Sequence, residues 1–197
     1  MDDRIQIERH PLQPFLPSGA RLLMLGSFPP PKKRWAMDFF YPNRTNMMWE
    51  IVGLVFFGDS QRLVDAENKT FRLEEIKALL AERGIAIYDT ACAVQRLNGN
   101  ASDKDLAVVE KTDIPALLAK IPQCHDIVCT GQKSFSVLTE DYGVPVPKMG
   151  EHNVFSLAGR EMRLWRMPSS SRAYPLKLEK KARYYLDMMK QIGIIDA

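Results

Sequence analysis

Arg21-Leu22-Leu23-Met24-Leu25-Gly26 is a short apolar run closed by a glycine. Unbroken apolarity, rather than alternation, marks a strand buried on both faces, as parallel sheets require. Two more runs of this kind follow: Ile85-Ala86-Ile87-Tyr88, with Asp89 just past its end, and Asp126-Ile127-Val128-Cys129-Thr130. Between them the spacing turns helical. Met48, Ile51, Val52, Val55 and Phe56 fall on one face of a helix predicted over about 46–57. Leu73, Ile76, Leu79 and Leu80 mark a second over about 73–83, with Gly84 placed to end it. Asp113 is positioned to cap a third, and Gly131 opens a fourth that ends near Tyr142. Residues 154–157 and 162–167 read as two strands joined at Ala158-Gly159, and a last helix is expected over about 176–192. Strands alternating with helices predict a three-layer α/β/α fold around a central, mostly parallel four-stranded sheet.

Outward from this frame, Pro11, Pro14 and Pro17 make residues 1–19 an extended arm. Residues 90–112 carry no clear period beyond a turn signal at Asn98-Gly99-Asn100. No repeat or linker divides the chain, so a single domain over residues 1–197 is expected. The composition, 46% hydrophobic and 26% charged, is that of a globular protein rather than a disordered one.

Cys92, Cys124 and Cys129 form no Cys-x-x-Cys pair, and three cysteines cannot all pair. A reduced, cytoplasmic setting is expected. No apolar run nears the roughly 20 residues that cross a bilayer, and Met1-Asp2-Asp3-Arg4 is no secretory leader. His10, His125 and His152 are scattered, so no metal or cofactor is expected. The net charge is only +3, but residues 160–190 hold nine Lys and Arg against three acids. That concentration predicts a face turned toward a polyanion.

Ligands of such folds sit at the carboxyl ends of the strands. Three clusters qualify. Gly26-Ser27-Phe28-Pro29-Pro30-Pro31-Lys32-Lys33-Arg34 is too proline-rich to be a phosphate nest and reads as a stiff wall followed by three cations. Phe39-Phe40-Tyr41-Pro42-Asn43-Arg44-Thr45-Asn46-Met47-Met48-Trp49 sets aromatic faces beside carboxamides, as a pocket for a planar heterocycle needs. Asn46 equally suits a helix cap. Met167-Pro168-Ser169-Ser170-Ser171-Arg172-Ala173-Tyr174-Pro175 supplies hydroxyls and a guanidinium for phosphate oxygens.

Together these motifs resemble the uracil-DNA glycosylase superfamily. Met167 to Ser171 looks like the second motif of the mismatch-specific thymine/uracil enzymes. The turn Gly26-Ser27-Phe28-Pro29, followed by Asn46-Met47-Met48-Trp49, is similar to the hypoxanthine-DNA glycosylase branch, and Asp89, Arg96 and Asp103 echo the middle of that family. The resemblance implies a monofunctional enzyme, monomeric, acting on double-stranded DNA that carries a damaged or mismatched base. Asn46, or Asn43 as its substitute, would position the water. Gly26, Ser27, Phe28, Pro29, Tyr41 and Asp89 would hold the base, with Phe28 or Tyr41 stacking on it. Lys32, Lys33, Arg34, Pro168, Ser169, Ser170, Ser171, Arg172 and Tyr174 would contact DNA. The sequence also departs from the family. Phe28 stands where the mismatch-specific enzymes carry asparagine, the spacing from Pro42 to Asn46 is two residues longer than the family pattern, and no motif-two histidine is present. Two rival readings stand beside this one: a non-catalytic DNA binder of the same fold, and a small-molecule nucleoside or phosphoester enzyme with Asp89 as base.

Overall fold

The computed structural model describes residues 6–97 and 105–196. The expected turn at Asn98-Gly99-Asn100 and Asp103 lie outside them. In chain order the elements are β1 (Ile7–Arg9), β2 (Leu22–Gly26), α1 (Met48–Phe57), β3 (Val64–Asp65), β4 (Thr70–Phe71), α2 (Leu73–Arg83), β5 (Ile85–Asp89), β6 (Ala91–Arg96), β7 (Leu106–Lys111), α3 (Ile114–Lys120), β8 (Asp126–Cys129), α4 (Gln132–Tyr142), β9 (His152–Leu157), β10 (Arg160–Arg166) and α5 (Leu178–Ile192). Asp113 caps α3 as its position predicts, accepting the Ala116 N–H at 3.0 Å. A bond of this kind contributes about 1 kcal/mol.

The main sheet has five strands, not four, in the order β5-β2-β8-β10-β9. Four run parallel, and β9 pairs antiparallel with β10 at the edge. The correction has a simple cause. Ala158 and Gly159 both take positive φ, 52° and 72°. Such a two-residue turn returns a strand only beside its own partner, antiparallel. β9 is also half exposed, as an edge strand is, whereas every residue of β2, β5 and β8 is buried.

Ala91–Arg96 and Leu106–Lys111, from the stretch without a clear period, form β6 and β7, which join β1 in a separate antiparallel sheet of order β1-β6-β7. The arm is therefore tied down. β1 pairs with β6, and Phe15 exchanges both backbone hydrogen bonds with Ile87 on the otherwise open edge of β5 (3.0 and 2.9 Å). An open edge would invite pairing with another chain, and the arm occupies part of it.

From β2 the chain moves outward to β5, then returns past β2 to β8 and β10. The direction of winding reverses between β2 and β8. Connections leave the sheet on both sides of such a point, and a crevice opens at the carboxyl ends of its strands. α1 packs on α5, so the helix after the first motif lies against the helix after the serine loop.

Candidate functional site

A cavity of about 600 Å³ opens at that crevice. Gly26 ends β2, Asp89 ends β5, Thr130 and Gly131 follow β8, and Ser169 to Ser171 follow β10; all of them line it. The remaining wall is Ser27 to Pro30, Arg34, Phe40 to Asn43, Thr45, Asn46 and Ala173. The three sequence clusters thus meet around one space.

The join between two of them is backbone to backbone. Asn46 and Ser171 form an antiparallel bridge, and the Met47 N–H donates to the Ser170 carbonyl at 2.9 Å. Asn46 Oδ1 accepts the Met48 N–H at 2.9 Å, so the side chain forms an Asx turn just ahead of α1, one residue before the helix's own N-cap, Met47. A carbonyl oxygen has two lone pairs and the amide two N–H donors. One lone pair is used here; Nδ2 has no partner among the described residues, and the residue lines the cavity. Asn43 also lines it, with Oδ1 turned back to the Thr45 N–H (3.0 Å) and hydroxyl (2.9 Å). Its side chain builds the turn that delivers Asn46.

Tyr41 sits beside them at φ 50°, a left-handed backbone that a bulky residue rarely adopts. Its phenol bonds the Thr130 hydroxyl at 2.7 Å, tying the first motif to the end of β8. Burial, and then the nearby Asp89 carboxylate, push the Tyr41 phenol well above its ordinary 10.0, although the Thr130 bond works the other way. The phenol remains neutral. Gly26 is needed for a different reason. A methyl there would collide with Asp89 Oδ1 and lie 3.7 Å from the Tyr41 oxygen, so the bare Cα is what admits the carboxylate.

Phe28 faces the cavity but is mostly buried, packed with Ala91, Val94 and Leu106 under the second sheet. The Arg96 guanidinium lies 5.6 Å from its ring and donates to the Pro29 carbonyl at 2.6 Å. Arg96 also holds Glu8, so the proline wall is anchored to the arm. Lys32, Lys33 and Arg34 form one exposed helical turn. Lys32 is committed to Asp38 (2.6 Å) and to the Trp35 ring, while Arg34 reaches the cavity.

In the serine loop, Ser169 Oγ accepts the Ser171 N–H and Ser171 Oγ accepts the Ala173 N–H, so two hydroxyls shape the loop itself. Ser170 is buried and Ser171 exposed. Pro168 accepts the Tyr185 hydroxyl of α5 at its carbonyl, 3.1 Å away. Arg172 pairs with Glu50 at 3.2 Å, and Tyr174 is half buried beside the Lys181 ammonium.

The basic stretch 160–190 is more dispersed than its count predicts. Arg163 pairs with Asp126 at the start of β8, and Arg160 donates to the last carbonyls around α3. Both belong to the end of the sheet opposite the cavity, separated from Arg166 by the length of β10, about 3.3 Å per residue. Arg183 pairs with Asp187, and Lys181 is fully buried. Charge around the cavity mouth comes instead from Arg34 in its wall and from Arg44 and Arg172, each next in sequence to a lining residue.

One residue escaped the sequence reading. His10, from the arm, places Nε2 at 2.8 Å from Asp89 Oδ2, with only 2% of its side chain exposed. No local pattern marks it, because the contact depends on the pairing of β1 with β6. Among the described residues no cluster of three or more His, Cys, Asp or Glu is placed to hold a metal.

No family model and no curated protein matches this chain. Among solved structures, it is similar to the solution NMR structure of a candidate uracil DNA glycosylase from Methanosarcina acetivorans. The superposition covers 95% of this chain and 99% of that one, with a TM-score of 0.64 and 19% identity. At that identity the likeness is one of fold.

Proposed function

We propose that this chain is a monofunctional DNA glycosylase that excises a deaminated or mismatched base from double-stranded DNA. The observation that carries this reading is the bridge between Asn46 and Ser171, which sets the carboxamide motif and the serine loop on one rim of the cavity. The shared fold with a candidate uracil DNA glycosylase supports it. A small-molecule enzyme has no need of a cavity that opens between three loops carrying Arg34, Arg44 and Arg172.

The target nucleotide leaves the stack at a cost of a few kcal/mol, least for a mispaired base. Arg34, Arg44, Arg172 and the hydroxyls of Ser169 to Ser171 hold the flanking phosphates, and Tyr174 or Arg172 borders the gap left in the duplex. Inside, the base lies against Phe28 and Tyr41. As the C1′–N bond breaks, its electron pair goes to the base and the sugar becomes cationic. A water held by Asn46 adds its oxygen to C1′; its proton passes to the departing base or to solvent. No enzyme nucleophile is consumed. One buried hydrogen bond that strengthens in the transition state contributes about 3 kcal/mol, roughly a hundredfold in rate. The protein works as a monomer in the compartment that holds DNA.

The test is direct. Duplexes carrying a single uracil, hypoxanthine or mismatched thymine are incubated with the protein and then treated with alkali. Strand breaks at the lesion support the reading. Salt-sensitive binding with no breaks on any lesion replaces it with the non-catalytic binder.

A further inference from the structure

The arm residue His10 reaches the floor of the cavity from behind. Its Nε2 lies 2.8 Å from Asp89 Oδ2, and both side chains are nearly buried. Nδ1 sits over the Leu12 backbone, 3.1 Å from its N–H and 3.0 Å from its carbonyl, so Nδ1 finds a partner there with or without a proton. The Asp89 carboxylate is an acceptor, and Nε2–H is the donor that faces it. The ring cannot swing away. Tyr88, Phe28 and Phe40 surround it at centroid distances of 4.7, 5.3 and 6.1 Å.

One carboxylate oxygen is thereby fixed, and the other is aimed. Asp89 Oδ1 lies over the bare Cα of Gly26, and Gly26, Asp89 and Tyr41 all line the cavity. Among the described residues it has no protein partner. Nor is it sealed from solvent, since Thr90 Oγ1 alone among them is buried without one. The floor therefore presents a rigid acceptor.

We infer that His10 and Asp89 form the selectivity pair of this pocket, with His10 orienting Asp89 so that Oδ1 accepts a hydrogen bond from a ring N–H of the flipped base. The inference rests on the glycosylase reading and adds to it the chemical feature read. A flipped base is recognised along its Watson–Crick edge. A lactam edge, a ring N–H beside a carbonyl, offers the donor this acceptor needs. Cytosine N3 and adenine N1 carry a lone pair at the same place, which the carboxylate repels. The parent bases cytosine and adenine are rejected at the ring nitrogen that gains its hydrogen when the neighbouring amine is lost. Discrimination by a buried polar group exceeds what apolar contact gives, because the mismatched partner leaves that group unpaired.

The experiment measures binding by fluorescence anisotropy. The probes are duplexes with one non-cleavable 2′-fluorodeoxyuridine or its N3-methyl derivative. The native protein is expected to prefer the N–H form at least tenfold. His10→Phe keeps the aromatic packing and is expected to bring the ratio within about threefold. His10→Gln, which restores a donor at the reach of Nε2, is expected to recover it. Asp89→Ala removes the acceptor outright and must collapse the ratio too, whatever the folding of His10→Phe. An unchanged ratio in His10→Phe or in Asp89→Ala overturns the inference, since steric exclusion of the methyl group would survive both substitutions. Equal binding of the two probes by the native protein also overturns it. Failure to release uracil from an ordinary duplex removes the enzymatic reading, while the binding ratio still decides the assignment of His10 and Asp89.

Discussion

Lys181 Nζ donates to the Ser171 carbonyl at 2.6 Å from a side chain with no exposed surface. The same ammonium lies 3.6 Å from Met47 Sδ and 5.5 Å from the Tyr174 ring. One buried cation of α5 thus holds both sides of the bridge between Asn46 and Ser171.

Lys181→Met removes that hold. The Ser171 carbonyl loses its donor at a cost of about 1–3 kcal/mol, partly offset because a buried charge disappears as well. Affinity for duplex DNA is expected to fall several-fold, measured by anisotropy at fixed salt. The pH dependence has a definite sign. Burial, and then Arg172, lower the Lys181 ammonium from its ordinary 10.5. Between the lowered value and 10.5 the unfolded chain binds the extra proton, so stability rises with pH across that window. Chemical denaturation from neutral pH up to about pH 10 should show this rise in the native protein relative to Lys181→Met.

Asn46→Ala separates two roles. The hydrogen bond from the Met48 N–H is lost, at about 1 kcal/mol in urea denaturation. Excision is expected to fall about a hundredfold in single-turnover assays. Asn46→Asp keeps the accepting oxygen and should keep the stability. If it also keeps full activity, the Asn46 amide nitrogen is not needed.

Gly26→Ala drives a methyl into the Asp89 carboxylate at the end of β2. Overpacking of this kind costs about 1–3 kcal/mol. The double variant Gly26→Ala with Asp89→Ala should be less unstable than the sum of the two singles. Thermal melts of the four proteins in the cycle measure that coupling.

Arg34→Ala and Arg44→Ala are expected to weaken binding uniformly across lesions. For every phosphate that the protein no longer neutralises, the slope of log K against log salt becomes shallower by about 0.9 on duplex DNA. A titration series between about 50 and 200 mM salt reads it. An unchanged slope in both variants moves the phosphate-binding positions elsewhere.

The parallel core was legible because β2, β5 and β8 are buried on both faces and therefore read as uninterrupted apolar runs. The second sheet was not. Its strands mix buried and exposed positions around a bulge near Ala93, which erases the two-residue period. Gly26, Asn46 and Ser169 to Ser171, which line the cavity, stand out in the sequence because each sits at the end of a strand, just after one or just before a helix, where local patterns point. His10 was missed for the opposite reason: its role exists only through its distance to Asp89. The cationic count over 160–190 overstates the charge at the cavity because β10 carries Arg160 and Arg163 to the far end of the sheet, where Arg163 pairs with Asp126 and Arg160 donates to carbonyls just after α3.

The bridge between Asn46 and Ser171 also sets a schedule. The two residues are contributed by the first and last thirds of the chain, and such a pairing closes a long loop before it returns any energy. During synthesis the apolar strands β2 and β5 emerge early, but the cavity has no rim until the segment after β10 docks on α1. A nascent or truncated chain that stops before Ser171 carries most of the hydrophobic core and none of the assembled mouth. The mouth of the cavity therefore arrives last, once the molecule is built, and its closure marks completed folding.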